Sequence, residues 1–222
     1  MVPLALIDSL FVYSVPGRVL DVGAQNMLKA TEGAFATFLE KYGKEQDHSA
    51  AVVDMAERSI IRPGYETLYL SEVLDHTPID YISFDICPGR KTKIFDFNRK
   101  KLPWGYKKKF GLILNCGTSE HIFNQLNVFN VIHDATEVGG YMYHQVPTTG
   151  RIDHGYFCYH PRFFRELAEA NGYEIVDTYY KRSYRRDLET GELKPRVSSM
   201  AETGIEVRGK RGDQPLDIPM HA

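Results

Sequence analysis

The stretch RVLDVGAQN, residues Arg18 to Asn26, decides the fold. Apolar residues lead into Asp21, and Gly23 follows before the sequence becomes polar. Valine and leucine favour a buried strand, whereas a glycine lets the backbone turn sharply and approach a ligand, because it has no Cβ. The stretch therefore predicts a strand over residues 18–22 that ends at a carboxylate and a tight turn.

Further apolar runs, bounded by turn residues and separated by helical patterns, follow along the chain. Strands alternating with helices predict an α/β fold with a mostly parallel seven-stranded sheet, helices on both faces, and extra helices between the first two strands. The other strands are expected over 81–86, 92–97, 110–115, 140–146, 173–180 and 204–207, and the helices over 27–42, 50–61, 66–75, 123–136 and 161–172.

Size and composition are those of one globular domain. The 222 residues, 43% of them hydrophobic, suggest a single domain over 1–222 with its core at about 15–180 and a possible hairpin strand and tail at 181–222. A net charge of −2 implies no general attraction to nucleic acid or to membranes. Three dispersed cysteines argue against disulfides and zinc, and the lack of a long apolar run or a leader sequence favours the cytoplasm.

Polar residues stand at the ends of four predicted strands, where open α/β sheets bind ligands. Asp21 can accept a hydrogen bond from a ligand ammonium group, and Asp85 can accept hydrogen bonds from both hydroxyls of a ribose. Asp96 can receive an adenine amino group beside the ring of Phe97, and Asn115 suits main-chain contact with a ligand. A single acid at a strand end is usually a cap or turn residue, but four polar strand ends in this order favour a nucleoside site.

A family resemblance rests on six segments: VLDVGAQN (19–26), YISFDI (81–86), KIFDFN (93–98), FGLILNCGTSEHI (110–122), GGYMYHQVP (139–147) and HPRFFRELAEANGYEIV (160–176). Together they resemble the class I, Rossmann-like S-adenosylmethionine-dependent methyltransferases over most of residues 18–180. The resemblance implies S-adenosylmethionine as the cofactor and methyl transfer as the activity. The cofactor-binding candidates are Asp21, Gly23, Gln25, Asp85, Ile86, Asp96, Phe97 and Asn115.

Two features depart from the family pattern. The family's first loop commonly carries further glycines where Gln25 and Met27 stand here, and the interval between Asp21 and Asp85 is long. A nicotinamide-dependent dehydrogenase shares the architecture, but it would need a G-x-G-x-x-G motif, which is absent, and a shorter interval. The methyltransferase is therefore preferred.

Transfer of a methyl group to a hydroxyl needs a base, and three histidines follow the fourth and fifth predicted strands. His154 lies in the long aromatic loop 148–160 and is the preferred base, because long ordered loops in this position tend to be functional. His121 and His144 are the other catalytic candidates, and the register of the fifth strand decides whether His144 points into the site or into the sheet.

A metal site is possible but not favoured. By the resemblance, the counterpart of His121 sometimes binds a divalent metal together with two glutamates. Glu120 is present, but Gly117 stands where the other glutamate would be, so a ligand is lacking unless His144 or His154 completes the set. We therefore expect no metal ligands.

The sequence thus predicts an S-adenosylmethionine-dependent methyltransferase that acts on a hydroxyl of a small molecule or glycan. A non-catalytic binding or scaffold protein with the same fold is the alternative. An RNA methyltransferase is a weaker one: residues 90–109 hold nine Lys or Arg against one acid, but nothing resembles an RNA-binding module. The sequence indicates no membrane partner and does not indicate an oligomeric state.

Overall fold

A computed structural model of the chain describes residues 1–59, 67–149, 154–182, 184–186, 193–195, 203–212 and 216. The chain forms two compact units, Met1–Phe95 and Asp96–Ala222. The single domain expected from the sequence stays a prediction. None of the helices in the described part of the chain combines the length and apolar character needed to cross a bilayer.

The first unit contains a small parallel sheet whose strands pair in the order β3 (Thr92–Ile94), β2 (Asp80–Asp85) and β1 (Arg18–Val22). In this sheet Asp21 lies opposite Ser83, and Val22 lies opposite Phe84, so β1 and β2 reach their carboxyl ends side by side. Three helices separate these two strands along the chain, as the sequence predicted. The elements are α1 (Leu4–Phe11), β1 (Arg18–Val22), α2 (Glu32–Tyr42), α3 (Ser49–Arg58), α4 (Leu70–Asp75), β2 (Asp80–Asp85) and β3 (Thr92–Ile94).

The segment after β1 differs from the sequence prediction. The helix expected from residue 27 begins only at Glu32, where the Thr31 side chain accepts a hydrogen bond from Ala34 N. Met27 N donates to Leu68 O at 2.8 Å, and Leu28 N donates to Val2 O at 2.8 Å. The backbone N–H groups of Met27 and Leu28, which a helix beginning at residue 27 would leave free, are therefore engaged in hydrogen bonds, and the expected start of the helix was wrong.

The second unit contains a sheet in the order β4-β5-β9-β6. Strands β4 and β5 are parallel, whereas β9 runs antiparallel to both β5 and β6, and β7 pairs with β8. The elements are two short 3-10 helices (Trp104–Tyr106 and Ser119–His121), β4 (Phe110–Cys116), α5 (Gln125–Ala135), β5 (Thr136–Thr149), α6 (Pro161–Asn171), β6 (Glu174–Arg182), β7 (Tyr184–Arg186), β8 (Leu193–Pro195) and β9 (Thr203–Lys210).

Helix α6 has the ends that the sequence predicts. Pro161 occupies the first turn, where its missing N–H leaves no hydrogen bond unmade, and Gly172 ends the helix with a left-handed φ of 61°. His160 adds a cap, since its Nδ1 accepts a hydrogen bond from Arg162 N at 3.1 Å. Apolar side chains of α5, α6 and β4 build the core of this unit: Phe110, Ile113, Leu114, Val128, Ala135, Phe164 and Leu167.

Candidate functional site

Asp21, at the carboxyl end of β1, is fully buried. Its Oδ2 accepts hydrogen bonds from Tyr81 Oη at 2.7 Å and from Gln25 N at 3.1 Å. Its Oδ1 is also buried and has no hydrogen-bond partner among the described residues. Native structures rarely leave such an oxygen unsatisfied, so this atom is a candidate acceptor for a ligand.

The environment of Asp21 changes its acidity. Burial raises the pKa of Asp21 to about 7, although the hydrogen bonds from Tyr81 and Gln25 oppose the rise. Burial also raises the pKa of Tyr81 well above its ordinary value, and the neighbouring Asp21 raises it further, so Tyr81 remains a hydrogen-bond donor. Near neutral pH, Asp21 can therefore change its charge when a cation binds beside it.

Asp85, at the carboxyl end of β2, fastens the turn that follows β1. Its Oδ2 accepts a hydrogen bond from Ala24 N at 3.0 Å, and its Oδ1 accepts one from Cys87 N at 2.9 Å. Gly23 has a φ of 88°, which favours glycine, and its N–H donates to Phe84 O. Each carboxylate oxygen keeps a second lone pair, so Asp85 can still accept ligand hydroxyls.

The two remaining candidates of this unit differ in exposure. Gln25 is 6% exposed, and its Nε2 donates to Gly23 O at 3.3 Å, so it supports the turn from within. Ile86 is 67% exposed directly after Asp85. An exposed isoleucine beside an available carboxylate suits contact with the flat, apolar face of a nucleoside.

In the second unit, Asp96 and Phe97 have local structural roles. Asp96 Oδ1 accepts a hydrogen bond from Asn98 N at 2.9 Å, and its carbonyl accepts one from Lys100 N at 2.8 Å, so Asp96 caps a turn. Phe97 is 3% exposed, which leaves little of its ring available to an adenine. Strand β3 ends at Ile94, before both residues, and their adenine role stays a prediction.

Asn115, at the end of β4, is fully buried and organises the loop that follows. Its Oδ1 accepts from Ser119 N at 3.1 Å, and its Nδ2 donates to Ser119 Oγ at 2.8 Å. Its Nδ2 also lies 3.1 Å from His144 Nδ1. The side chain thus supports the 3-10 helix Ser119–His121, and its expected contact with the cofactor stays a prediction.

His144 points into the interior of the second unit, a direction that the sequence left open. It is 5% exposed, and its ring lies 5.7 Å from that of Phe129 and 5.1 Å from that of Phe164, between centroids. Burial lowers the pKa of His144 to about 4, so it is neutral at physiological pH. Its Nδ1 can then accept the hydrogen bond from Asn115, a positioning role that suits its burial.

Glu120, His121 and His154 form a cluster, hereafter the Glu–His cluster. Glu120 is 1% exposed, and its Oε1 lies 3.5 Å from His154 Nε2 and 4.0 Å from His121 Nε2. The imidazole centroids are 4.9 Å apart and meet edge to face. Two of the three histidines proposed as catalytic are thus brought together around one buried carboxylate.

A glycine allows this approach of two loops. A Cβ at Gly155 would lie 2.9 Å from Glu120 O and 3.0 Å from Glu120 Cγ, so a larger residue would clash. Tyr156 N and Phe157 N both donate to Glu120 O, at 2.8 and 3.2 Å, and fasten the segment that carries His154. Sequence reasoning passed over Gly155 and Tyr81; the only signal for Gly155 was its position next to a candidate base. Asp153, the sequence neighbour of His154, lies outside the described residues.

Comparisons with known proteins address the fold. No family model matches the chain, and no curated protein sequence does. A Burkholderia thailandensis 1,6-didemethyltoxoflavin-N1-methyltransferase, with 1,6-didemethyltoxoflavin and S-adenosylhomocysteine bound, superposes with a TM-score of 0.50 at 12% identity, over 95% of this chain and 76% of that one. The chain has the class I, Rossmann-like methyltransferase fold. The predicted α/β fold class is therefore confirmed, with seven mostly parallel strands besides the separate β7–β8 pair.

Two other solved structures are similar at a lower level. A putative methyltransferase from Bacillus halodurans has a TM-score of 0.48 at 10% identity, over 94% of this chain and 98% of that one. A SAM-dependent methyltransferase from Archaeoglobus fulgidus has a TM-score of 0.46 at 13% identity, over 94% of each chain. Similarity at sequence identities this low shows only the fold. The activity of the chain depends on the chemistry of its own residues.

Proposed function

We propose that this chain binds S-adenosylmethionine and transfers its methyl group to a hydroxyl of a small molecule or sugar. One observation carries the proposal: Asp21 and Asp85 end adjacent parallel strands and hold the turn at Gly23 between them through backbone N–H groups. In open α/β folds this edge is where ligands bind. The S-adenosylhomocysteine bound to the Burkholderia methyltransferase, which is the demethylated form of this cofactor, supports the same ligand class here.

The residues of the first unit fit such a cofactor. The buried Oδ1 of Asp21 offers an acceptor for the ammonium group of the methionine part, and a cation there would favour the ionised carboxylate. Asp85 has lone pairs for the two ribose hydroxyls, and the exposed Ile86 can cover the nucleoside. These assignments follow the resemblance and agree with the burial and hydrogen bonding of each side chain.

The Glu–His cluster provides the chemistry for a hydroxyl acceptor. When bound, the cofactor supplies a methyl group on a positively charged sulfur. The acceptor oxygen bonds to the methyl carbon while the carbon–sulfur bond breaks, its electron pair remains on sulfur, and the hydroxyl proton leaves. His154, whose side chain is 37% exposed, can receive that proton, and Glu120 stabilises the resulting imidazolium from 3.5 Å. His144 is too deeply buried to take this role.

The proposal is tested by incubating the full chain with methyl-labelled S-adenosylmethionine and separate panels of phenols, sugars and RNA, and by measuring S-adenosylhomocysteine formation. Acceptor-dependent formation with a phenol or sugar supports the proposal. If S-adenosylhomocysteine formed only with RNA, the acceptor would be RNA and not a small molecule or sugar. Saturable cofactor binding without turnover on any panel would instead favour the non-catalytic binding protein.

A further inference from the structure

We propose that the Glu–His cluster binds a divalent first-row transition-metal ion. Glu120, His121 and His154 each offer one ligand atom, and the three atoms all lie within 4.8 Å of one another. One carboxylate and two imidazoles form a donor set that binds zinc and related ions at catalytic sites. The inference comes from this arrangement, which the sequence alone did not favour.

The distances allow one ion to reach all three ligands. Two ligand atoms that each lie about 2.1 Å from the same ion are at most about 4.2 Å apart. The separations from Glu120 Oε1, 3.5 Å to His154 and 4.0 Å to His121, already satisfy this limit. The third separation, between the ligand nitrogens of His121 and His154, is at most 4.8 Å. Both imidazoles are partly exposed, His154 at 37% and His121 at 45%, so a small rotation of either ring can bring these two nitrogens within the limit.

The surrounding structure holds the carboxylate ligand in place. Ser119, which precedes Glu120, donates one hydrogen bond and accepts two: its N–H donates to Asn115 Oδ1, its Oγ accepts from Asn115 Nδ2, and its carbonyl accepts from Gln125 Nε2. Tyr159 Oη donates to Gln125 Oε1 at 2.6 Å and extends this network. Support of this kind around the ligands is typical of metal sites.

The loop after β5 supplies the third ligand. The two backbone hydrogen bonds to Glu120 O and the lack of a Cβ at Gly155 place His154 against Glu120. Gly117, with a φ of 72°, leaves space beside Glu120 Oε1, since a Cβ there would lie 3.6 Å from that atom. Glu120 and His121 from the earlier loop and His154 from the later one thus make up the ligand set.

The composition of the site selects the kind of ion. Magnesium, calcium and manganese prefer oxygen ligands, whereas two imidazoles favour zinc, cobalt, nickel or iron. A buried carboxylate with two outward imidazoles leaves coordination positions open towards solvent. Building on the proposed function, an acceptor hydroxyl at such a position would have a lowered pKa, so that its proton could pass to solvent water. His154 would then act as a ligand in the metal-bound chain and as the proton acceptor in the metal-free chain.

Metal binding is tested by calorimetry with Zn²⁺, and by the visible absorption of Co²⁺, on chelator-treated full chain without a histidine tag. We expect saturable binding of one ion per chain. Glu120→Gln and His154→Ala should each weaken it at least about tenfold, since even loss of an outer-shell partner has effects of that size. His160→Asn, which removes another histidine of the loop 148–160 but keeps a good helix cap, should bind like the wild type.

The proposal is overturned if neither ion binds saturably, or if Glu120→Gln and His154→Ala bind both ions like the wild type. Circular dichroism on each variant confirms that it is folded. Metal binding is measured without turnover, so its outcome is independent of the proposed function. If the chain binds Co²⁺ but not the cofactor, the proposed methyl transfer is rejected and the metal site is not. Turnover that is unchanged after chelation would assign proton acceptance to His154 directly and reject the catalytic role of the ion.

Discussion

The carboxylates of Asp85 and Asp21 accept hydrogen bonds from consecutive backbone amides, those of Ala24 and Gln25, at 3.0 and 3.1 Å. The ends of two neighbouring strands are thereby fastened to one turn. Because the same carboxylates are proposed to contact the cofactor, its binding and the conformation of the turn are coupled. Substitutions at either acid should therefore weaken cofactor binding.

The acidity of Asp21 predicts that cofactor binding depends on pH. Its folded pKa of about 7 lies above the unfolded value of about 3.9, so the native state holds the proton more tightly and loses stability as pH rises between these values. A bound ammonium group needs the ionised form. Affinity for S-adenosylhomocysteine should therefore strengthen as pH rises, by up to about tenfold per pH unit below 7, and level off above it.

Calorimetry between about pH 6 and about pH 8 measures this dependence. Asp21→Asn is the matched control, because its amide oxygen can still accept from Tyr81 and Gln25 but the group cannot ionise. The variant should bind more weakly and without the pH trend. A wild-type affinity that is flat across this range would contradict the proposed contact.

The close contact between Gly155 and Glu120 allows a steric test of the Glu–His cluster. Gly155→Ala forces a Cβ to within 2.9 Å of Glu120 O, so the loop must move away from Glu120. We expect a loss of about 1–3 kcal/mol in the free energy of unfolding, as for other overpacked sites, together with loss of turnover. Urea denaturation and the methyl-transfer assay measure the two effects.

Gly33→Ala is the control for that substitution. A Cβ at Gly33, in α2, meets no atom of the described residues within 4 Å, so alanine there should leave stability unchanged or raise it by up to about 1 kcal/mol. If Gly155→Ala matched Gly33→Ala in both assays, the close approach of the two loops would be unimportant.

The proposed role of His154 predicts that its removal lowers the rate of catalysis and leaves cofactor binding unchanged. His154→Ala should lower kcat at least about a hundredfold, the smaller end of what acid–base catalysis supplies, while the dissociation constant for S-adenosylhomocysteine stays unchanged. The cause is loss of the group that assists deprotonation of the acceptor, directly or as a metal ligand. His160→Asn is again the control, and retained turnover in His154→Ala would remove His154 from the mechanism.

The buried hydrogen bonds of Asn115 predict that its removal destabilises the second unit. Asn115→Ala removes the partner of Ser119 N and of His144 Nδ1 in a fully buried position, so the unfolding free energy should fall by about 1–3 kcal/mol. Asn98→Ala, whose Oδ1 accepts from Asn124 N at an exposed site, should have a smaller effect. Thermal denaturation of both variants gives the comparison, and equal stabilities would show that the buried amide network contributes little.

The sequence predicted the strands well because their signal is local. The apolar run at 110–115 and the Asp-x-Gly ending of the first strand are sufficient to indicate buried strands and a turn. The start of α2 was missed, because Met27 and Leu28 have helical spacing but bond to the backbones of Leu68 and Val2, which lie far away in sequence. Contacts of that kind leave no local pattern.

The candidate site was predictable only in part, for the same reason. Glu120 and His121 are neighbours in sequence, but their approach to His154 depends on how the loop after β5 folds back. The inward direction of His144 depends on strand register, which a single sequence does not reveal. The fully buried carboxyl of Asp21 and its partner Tyr81 likewise arise from strand pairing.

The most direct test of the account is calorimetric titration of the full chain with S-adenosylmethionine and S-adenosylhomocysteine. Asp85→Ala removes the proposed ribose ligand at the end of β2, and Asp80→Ala, at the exposed start of the same strand, is its matched control. The account predicts saturable binding of both compounds to the wild type and to Asp80→Ala, and none to Asp85→Ala. Absence of binding to the folded wild type, or equal binding to all three proteins, would contradict it.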